Sequence, residues 1–384
     1  MKIQITENIN QLSSTQWNAL VKDNMPFLRF EFLSALETHQ CLGEAYGWIP
    51  QHFTMFDDKN NLIGAMPMYL KTNSYGEFVF DQAWADAYAR SGFQYYPKLV
   101  SCTPYTPANA NRILVDPEYD YQHIASHFIQ AAIQHTQTLN ISSAHWLFPD
   151  QQQQPVLENF EFTSRIDCQF HWTNQQYDSF DHYLSFMNTR KRKKIKRERR
   201  FVQQADIDID IIPSDQASEE QIHQCHQFYL STFEKKWGQA TLSENFFNAI
   251  AETMGSQMLL VFAKHQNNYV AAAVDFKSDT TLYGRHWGCN EEFHSLHFEL
   301  CYYQGLEYCI QHKLKCFEPG AQGEHKISRG FLPKKTRSFH WIQHPEFRKI
   351  IHNHVEHETT MMLEYIEELA STSPFKTIQS GTKS

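Results

Sequence analysis

Apolar and polar positions alternate along the chain in a pattern that predicts two similar groups of β-strands. Residues 52–71 (HFTMFDDKNNLIGAMPMYLK) read as two strands around a polar turn, and residues 257–277 repeat the same order. A third strand is predicted after each pair, at residues 76–84 and 281–287. Because the same succession occurs twice, the pattern predicts a duplicated domain.

A helix and a further strand are predicted after each group. Residues 121–140 and 297–312 carry apolar side chains at helical spacing. Residues 142–149 and 313–320 then read as short strands, the second of which ends at Pro-Gly. Antiparallel strands followed by a helix and a strand are typical of an α+β fold, with mixed sheets flanked by helices.

The length of the chain also favours two domains, since 384 residues are many for one hydrophobic core. A glutamine-rich stretch, residues 149–160, is predicted to be a surface connection near the domain boundary. We therefore predict an N-terminal domain at residues 1–165 and a C-terminal domain at residues 166–384.

The composition is that of an ordinary soluble protein, with 41% hydrophobic and 20% charged residues. No apolar stretch approaches the roughly twenty residues of a membrane-spanning helix. The N-terminal residues also lack the apolar core of a secretory signal. The sequence thus predicts a cytoplasmic protein with no integral membrane association.

Charge is distributed very unevenly along the chain. The formal net charge is −9, yet residues 190–200 (RKRKKIKRERR) contain nine lysines and arginines. A single cationic segment in an otherwise acidic protein argues against a DNA-binding protein, whose basic residues cover a broad surface.

Residues 184–204 are predicted to form a basic helix, which one narrow apolar stripe attaches to the protein while the cations face outward. The stripe consists of Leu184, Met187, Ile195 and Val202. Such a helix could bind a phosphate-bearing ligand, pair with acidic groups of the protein or contact a membrane surface. No cluster of Trp or Phe supports membrane contact. The candidate phosphate-binding residues are Arg190, Lys193, Lys194, Arg197 and Arg200.

A dense polar segment, residues 316–341, is the main candidate for catalysis. Glu318 closes a predicted strand, and Glu324 and His325 follow two glycines that permit sharp turns. A carboxylate and an imidazole in such a loop could remove a proton from an attacking amine or hydroxyl, so these three are candidate catalytic residues. The alternative is a salt-bridged turn in which Glu324 pairs with Lys326.

A second polar cluster lies at residues 283–299. Arg285 and His286 are adjacent in a predicted strand and should face opposite sides of the sheet. A buried arginine there needs a carboxylate or a phosphate. Glu299, on the first turn of the next helix, could supply that carboxylate or act as a second acid or base. The candidate substrate-binding residues are Arg285, His286, Glu299, Gln322, Lys326 and Arg329.

Metal binding is not predicted. The eight cysteines include no CxxC pair, and their spacing suggests neither a disulfide framework nor a zinc site. Among the 21 histidines, the group His352, His354 and His357 falls in a predicted solvated helix. We expect no metal and no tightly bound cofactor.

Several of these segments together resemble a bacterial family, the Fem-type, peptidoglycan-biosynthesis-like (FemAB-like) proteins of the GNAT acyltransferase superfamily. The basic helix carries part of the resemblance. The other stretches are PFLRFEFLSALE (26–37), DQAWADAYARSGFQYYPKL (81–99) and a segment at 297–341 with HFELCYYQGLEYCI and FEPGAQGEHKISRGFLPKKTRSFHW. The resemblance implies two tandem GNAT-like (acyl-CoA N-acyltransferase-like) domains. It also implies transfer of an acyl or aminoacyl group to an amine without a metal.

The donor is expected to carry phosphates. GNAT enzymes that use acetyl-CoA share a Q/R-x-x-G-x-G/A loop that holds the pyrophosphate. The corresponding residues 288–298 contain Gly288, no further glycine and two glutamates, which would repel the phosphates of CoA. Fem-type proteins use aminoacyl-tRNA, and a cationic helix could contact several tRNA phosphates. Acyl-CoA or aminoacyl-tRNA is therefore the expected co-substrate.

These observations lead to the hypothesis of an acyltransferase acting on an amine acceptor, for which a cell-wall precursor is one candidate. Glu324 or His325 would act as the general base, and Arg285 with Lys326 would stabilise charge on the acyl oxygen. Two alternatives are an acetyl-CoA-dependent N-acetyltransferase of a small molecule or peptide, and a non-catalytic protein that binds a cell-wall precursor or RNA. The sequence leaves the donor, the acceptor and the oligomeric state open.

Overall fold

The structure is a computed structural model that describes residues 2–236, 238–320 and 323–376. Gln322, a candidate substrate-binding residue, lies outside the described residues. In chain order the strands are β1 (Lys2–Thr6), β2 (Trp48–Pro50), β3 (His52–Phe56), β4 (Leu62–Met66), β5 (Tyr69–Lys71), β6 (Lys98–Ser101), β7 (Leu114–Val115), β8 (Ser143–Leu147), β9 (Thr163–Thr173), β10 (Ile207–Pro213), β11 (Met258–His265), β12 (Asn268–Lys277), β13 (Thr281–Cys289), β14 (Cys316–Glu318) and β15 (Leu332–Ile342).

Helices and short 3₁₀ turns connect these strands. In chain order the helices are α1 (Ser14–Ala19), α2 (Phe30–Thr38), α3 (Gln82–Arg90), α4 (Tyr121–Thr138), α5 (Gln154–Glu158), α6 (Phe180–Ser185), α7 (Thr189–Gln204), α8 (Glu219–Lys236), α9 (Glu244–Met254), α10 (Leu296–Phe298), α11 (Gln304–Gln311) and α12 (Pro345–Ser371). A π-helical turn, Glu299–Tyr303, joins α10 to α11, and a 3₁₀ turn, Glu324–Arg329, follows β14. Among the helices of the described residues, none has both the length and the apolar character needed to cross a membrane.

The chain forms two compact units, each of which is discontinuous in sequence. The first consists of residues 1–168, 241–254 and 335–364, and the second of residues 169–240, 255–334 and 365–384. This division differs from the predicted boundary at residue 165 in that α9 and most of β15 and α12 belong to the first unit. Long-range contacts hold these segments in the first unit. Phe246 of α9 packs edge-on against Phe32 of α2, and β15 pairs with β8.

The first unit contains a four-stranded antiparallel sheet in the order β1-β3-β4-β7. Further strands are hydrogen-bonded in the order β2-β5-β6-β8-β15, in which β6 and β8 are parallel and the other pairs antiparallel. Helix α4 packs on these strands through Ile124, Phe128 and Ile129, which belong to the main core of the unit. Gly64 lies beneath Phe128, where a Cβ atom would come within 2.7 Å of the ring.

In the second unit the strands are hydrogen-bonded in the order β10-β11-β12-β13-β14-β9. The pair β13 and β14 is parallel, and the other pairs are antiparallel. β13 pairs with β14 only over Thr281–Tyr283, whereas its pairing with β12 continues to Cys289. The two parallel strands therefore separate after Tyr283 and Glu318. Most of the predicted site residues lie at or after this point.

The predicted α+β class with two tandem units is confirmed, since each unit has its own mixed sheet flanked by helices. Both predicted hairpins are present, as β3–β4 and β11–β12. The strand predicted at residues 76–84 is wrong, because this segment forms a loop and the start of α3. In the loop, Glu77 and Asp81 turn inward and bind Lys98 at 2.7 and 2.5 Å. The charged Glu77 and Asp81 are therefore buried together with Val79, whereas Phe78 and Phe80 are exposed.

The basic helix predicted at residues 184–204 is interrupted. α6 ends at Ser185, and α7 begins at Thr189 after Asn188, whose side chain accepts a hydrogen bond from Lys191 N at 3.0 Å. Asparagine is favoured at this position because its oxygen satisfies a backbone N–H group that has no partner inside the helix. The predicted apolar stripe is confirmed by the burial of Leu184, Met187, Ile195 and Val202.

Candidate active site

One face of α7 presents a row of cations to a cavity. Arg190, Lys193, Lys194 and Arg197 recur at the i, i+3, i+4, i+7 spacing of a single helix face, and we call these four residues the cationic face. Together with Lys191 they line an open cavity of about 540 Å³. Partial burial and the charges of Lys194 and Arg190 lower the pKa of Lys191. Cations held this close together favour the binding of an anion.

Two other cations of α7 are paired with acidic groups of the same unit. Lys196 lies 2.7 Å from Asp181, and Arg199 binds two glutamates at 2.9 Å. Within the described residues, the cationic face has one ion-pair contact, between Lys194 and Glu198 at 3.8 Å. Pairing with the protein's own carboxylates therefore does not account for the cationic face.

Arg200 is separated from the other predicted phosphate-binding residues. It is exposed and lines a second cavity, of about 530 Å³, with Lys196 and Arg199. Asp181 and Glu307 line the same cavity and pair with these two cations. Because acids and bases alternate around it, this second cavity is less suited to a phosphate than the first.

Glu198, the one acidic residue of the basic run, faces the interior. Its carboxylate accepts two hydrogen bonds of 3.0 Å from Arg329 Nη2 and a third from Tyr303 Oη. Arg329 also donates from Nε to Tyr303 Oη at 3.1 Å, and from Nη1 to His325 O at 2.8 Å and Ser328 Oγ at 3.3 Å. All five N–H groups of Arg329 thus face protein acceptors. Arg329, predicted to bind substrate, is therefore hydrogen-bonded to the protein itself in this structure.

Glu299, predicted to bind substrate, is buried and paired within the protein. The π-helical turn directs Glu299, Tyr302 and Tyr303 into the interior. The Glu299 carboxylate binds Arg199 of α7 at 2.9 Å and accepts a hydrogen bond from Gln304 at 2.8 Å. Burial raises the pKa of Glu299, and the charge of Arg199 opposes this effect. Glu299 therefore attaches α7 to the helix that follows β13.

The loop after β14 exposes Glu324 and His325. Nε2 of His325 lies 2.9 Å from Tyr302 Oη. The pKa of His325 is lowered by partial burial and by three nearby cations, one of which is Lys194 of the cationic face. Tyr365 Oη donates a hydrogen bond to Glu324 Oε1 at 2.7 Å. A neutral imidazole in this position can accept a proton at neutral pH.

Lys326 points into the interior, away from the exposed Glu324. Its ammonium group donates to the carbonyl oxygen of Gly320 at 2.8 Å, and burial lowers its pKa to about 8. Because Glu324 and Lys326 form no ion pair within the described residues, the alternative of a salt-bridged turn is wrong. The predicted sharp turns are confirmed by φ angles of +93° at Gly320 and +119° at Gly323. A Cβ atom at Gly323 would lie 2.5 Å from the His325 ring.

Arg285 and Glu318 approach each other where β13 and β14 separate. Arg285 occupies a bulge in β13, and its Nη1 donates to Gly284 O at 2.9 Å. Burial lowers the pKa of Arg285 to about 10, against the attraction of Glu318 and Asp275. Burial raises the pKa of Asp275 to about 8. The charge of Arg285 also contributes to the lowered pKa of Lys326, so the two cations lie in one cluster.

His286 faces the other side of the sheet from Arg285, as strand alternation predicts. Its ring packs edge-on against Tyr229 of α8 at a centroid distance of 4.9 Å. Burial and the charge of Arg285 lower the pKa of His286 to about 3. Gly288 also touches α8, since a Cβ atom there would lie 1.7 Å from Phe228 O. His286, predicted to bind substrate, and Gly288 therefore both pack against α8 in this structure.

His171, Cys316 and Glu318 form a group that could hold a metal ion, with ligand atoms that all lie within 4.8 Å of one another. His171 of β9 stands opposite Glu318 of β14, and Nδ1 lies 3.9 Å from Oε1. Burial and three basic side chains, first among them Lys334, lower the pKa of His171 to about 3. The same positive charges oppose a metal ion and favour an anionic group.

The amino-acid sequence of residues 8–377 matches the FemAB-like family, whose description is peptidoglycan biosynthesis and recognition. The chain belongs to this family. The resemblance inferred from the sequence is therefore confirmed. No curated protein sequence matches this FemAB-like chain significantly.

Solved structures with the same fold as this FemAB-like protein include FemX, with a TM-score of 0.54 and 10% identity, covering 92% of this chain and 100% of FemX. Another is the C-terminal domain of a putative lysylphosphatidylglycerol synthetase from Agrobacterium fabrum, with a TM-score of 0.53 and 8% identity over 93% and 96% of the two chains. A protein of unknown function from Bacteroides thetaiotaomicron has a TM-score of 0.51 and 8% identity over 89% and 100%. At these identities the likeness shows a common fold.

The structure of the FemAB-like protein groups the predicted residues into three sets. Arg285, Glu318 and Lys326 form a buried cluster at the strand ends, while Glu324 and His325 are exposed on the loop that follows. The cationic face is the third set. Of the predicted residues that the structure describes, those that belong to none of these sets are Arg200, His286, Glu299 and Arg329.

Sequence reasoning missed Asp275, His171 and Tyr302. Asp275 is the one acid in the apolar strand segment AAAVDF, and an isolated carboxylate in a buried strand is a signal that could have identified it. The position of His171 depends on pairing between β9 and β14, which lie more than 140 residues apart in sequence. Tyr302 reaches His325 because of the π-helical turn, for which the sequence offers no signal.

Proposed function

We propose that this FemAB-like protein transfers an acyl or aminoacyl group from a phosphate-bearing donor to an amine acceptor. The position of the cationic face carries the proposal. It belongs to the same unit as the loop that contains His325 and Lys326. Arg329 is hydrogen-bonded both to Glu198 of α7 and to the backbone of His325. Phosphates held by α7 would therefore place the donor beside the loop.

Aminoacyl-tRNA is the donor that the site favours. The cationic face extends over seven residue steps of α7, about 10 Å at 1.5 Å per residue, which leaves room for more than one backbone phosphate. A CoA donor fits less well, because Gly288 packs on α8 and the exposed Glu291 and Glu292 follow it. Their negative charges would repel a pyrophosphate.

His325 is the better placed of the two predicted bases. In the tautomer in which Nε2–H donates to Tyr302 Oη, Nδ1 carries the lone pair that accepts a proton from the attacking amine. The lowered pKa of His325 keeps the ring neutral at pH 7. Glu324, held by Tyr365, is the alternative base.

The buried cluster would act on the acyl group. Negative charge develops on the acyl oxygen as the amine attacks, and the cations of Lys326 and Arg285 would stabilise it in a site with little water. Glu318, at the end of β14, would attract the amine of the acceptor. These roles require Lys326 to be protonated, which its pKa of about 8 permits at neutral pH.

The family description favours a peptidoglycan precursor as the acceptor. The name of the Agrobacterium fabrum neighbour concerns a lysyl group and phosphatidylglycerol, so this lipid is the competing acceptor in an assay. Transfer of a radiolabelled amino acid from charged tRNA to each acceptor would separate the two.

Replacement of all four residues of the cationic face by glutamine tests the donor site. We expect the affinity for charged tRNA to fall roughly 100-fold, and the slope of log Kd against log salt concentration to decrease by about three, because four phosphate contacts are lost. Filter binding and amino-acid transfer provide the two measurements. The matched control exchanges four exposed lysines elsewhere for glutamine, namely Lys59, Lys313, Lys315 and Lys349.

These binding and transfer assays, together with a thermal-shift assay, distinguish the proposed donor site from the alternative functions. Equal losses in the variant and the control would contradict a specific donor site on α7. A thermal shift of the wild type with acetyl-CoA, without binding of tRNA, would favour the acetyltransferase. Salt-sensitive tRNA binding without transfer to either acceptor would favour a non-catalytic binding protein.

A further inference from the structure

Arg329 is hydrogen-bonded both to α7, which would hold the donor phosphates, and to the loop that carries the candidate base His325. Its Nη2 binds the Glu198 carboxylate on α7, at 3.0 Å to both oxygens. Its Nη1 donates to the backbone oxygen of His325 and to Ser328 Oγ, both in the loop. One side chain thus joins the helix of the cationic face to the candidate base.

The bond between Glu198 and Arg329 is shielded from water. The side chains are 7% and 1% exposed, and the guanidinium lies 3.5 Å from the centre of the Phe298 ring. Tyr303 donates to Glu198 and accepts from Arg329, which fixes the pair from a third element. A lysine at position 329 would keep the charge but could not make the five directed bonds or the planar stacking.

The cationic face reaches the same carboxylate. Lys194 Nζ lies 3.8 Å from Oε1 of Glu198, the oxygen that also accepts from Arg329 Nη2 at 3.0 Å. Lys194 lines the cavity in front of the cationic face. An anion in that cavity would draw Lys194 toward itself and leave Arg329 as the only cation on the Glu198 carboxylate among the described contacts, beside the hydroxyl of Tyr303. The charge-assisted bond between Glu198 and Arg329 would then strengthen.

We propose that Glu198 and Arg329 are a positioning pair through which phosphate groups on the cationic face tighten the loop that carries His325. Neither residue touches the donor or the acceptor. The proposal rests on the proposed function for the nature of the phosphate-bearing ligand. Its structural part, the attachment of the loop to α7, can be measured without turnover.

The first test compares Arg329→Lys and Glu198→Gln with Arg199→Lys. Arg199 is a matched control because it lies on α7, as Glu198 does, and its ion pairs are with Glu299 and Glu307, which are outside the loop. We expect amide hydrogen exchange at residues 323–330 to accelerate at least about tenfold in the first two variants and to stay unchanged in the control. Exchange in the core strands β11 and β12 should remain at the wild-type level. Unchanged exchange in the loop, or an equal rise in every element, would overturn the proposal.

The second test adds inorganic tripolyphosphate, with binding followed by calorimetry. In the wild type the probe should slow exchange at residues 323–330. In Arg329→Lys it should still bind but leave the loop unaffected, and in Lys194→Gln it should bind more weakly. Binding to the wild type without any effect on the loop would overturn the positioning pair and leave the proposed function intact. A wild type that binds neither tripolyphosphate nor tRNA would overturn both.

Discussion

Lys326 is a site residue whose charge changes close to neutral pH. Burial lowers its pKa to about 8, so it is a cation in neutral solution and loses its proton in mildly alkaline solution. The pKa of His325 lies below its ordinary value of 6.5, so the imidazole is neutral at pH 7. Both residues are therefore in the state that the proposed reaction requires only between these two values.

The rate of transfer should follow this window. It should rise as His325 loses its proton below pH 6.5 and fall as Lys326 loses its proton near pH 8. Lys326→Arg should remove the alkaline decline at a lower maximal rate, because a guanidinium stays protonated but has a different shape. Lys334→Arg, at an exposed position, is the control and should keep the decline. An alkaline decline at the same pH in Lys326→Arg would assign it to another group.

At the residue scale, the sequence predicts where the polar loop lies better than it predicts which of the loop's side chains are buried. Glycines and charged residues after a strand identify Glu324, His325 and Lys326 as candidates. Arg329 looks equivalent to them in sequence, yet it is buried because Glu198, 131 positions earlier, accepts its hydrogen bonds. Such a partner cannot be identified from local sequence.

At the element scale, α7 shows which features of a helix are local. The helix predicted from the sequence runs through Asn188 without a cap, whereas its apolar stripe can be predicted from the spacing of its side chains. The break after α6 cannot, because residues near Phe186 bond to the C-terminal segment. Asn188 N donates to Pro374 O and Lys376 N donates to Phe186 O, each at 2.9 Å.

Loss of the cap should destabilise the second unit modestly. Asn188→Ala should lower the free energy of unfolding by about 1 kcal/mol, because the N-terminal N–H group of Lys191 loses its acceptor. Asn188→Asp should lose much less, since a carboxylate accepts the same bond and favours the positive end of the helix. Urea denaturation followed by circular dichroism would measure both. Equal losses in the two variants would argue against a capping role.

At the scale of the whole molecule, the part of the chain that the structure describes includes two histidines in each unit whose pKa values lie far below 6.5. His145 and His340 of the first unit are joined by a 2.6 Å contact between their Nδ1 atoms, and burial keeps both neutral. His171 and His286 of the second unit have pKa values of about 3 for the same reason. All four take up protons near pH 6.5 only when the chain unfolds.

Stability should therefore decrease in weak acid. Protons bind the unfolded chain but not the folded protein, so lowering the pH from about 7 to about 5 should cost about 2 kcal/mol for each of these histidines. Chemical denaturation at the two pH values would measure the change. His145→Gln should reduce the pH dependence by about one such increment, whereas His352→Gln, at an exposed position, should not. Identical pH dependence in the wild type and His145→Gln would contradict this account.

The division into units was only partly predictable at this scale. The repeated hairpin pattern predicts two similar units because each hairpin is a local structure. α9 and most of α12 belong to the first unit because they pack against residues far earlier in the sequence, as Phe246 of α9 packs against Phe32. Local sequence patterns do not reveal such contacts.

The single acid in the basic run also limits how that run can be altered. A version made wholly basic to increase affinity for nucleic acid, by Glu198→Lys, would press a second cation against Arg329 where water cannot reach either charge. This repulsion would weaken the attachment of α7 to the protein, and the substitution would not improve phosphate binding. Positive charge can therefore be added only at positions of α7 that face solvent, and not at the buried position 198.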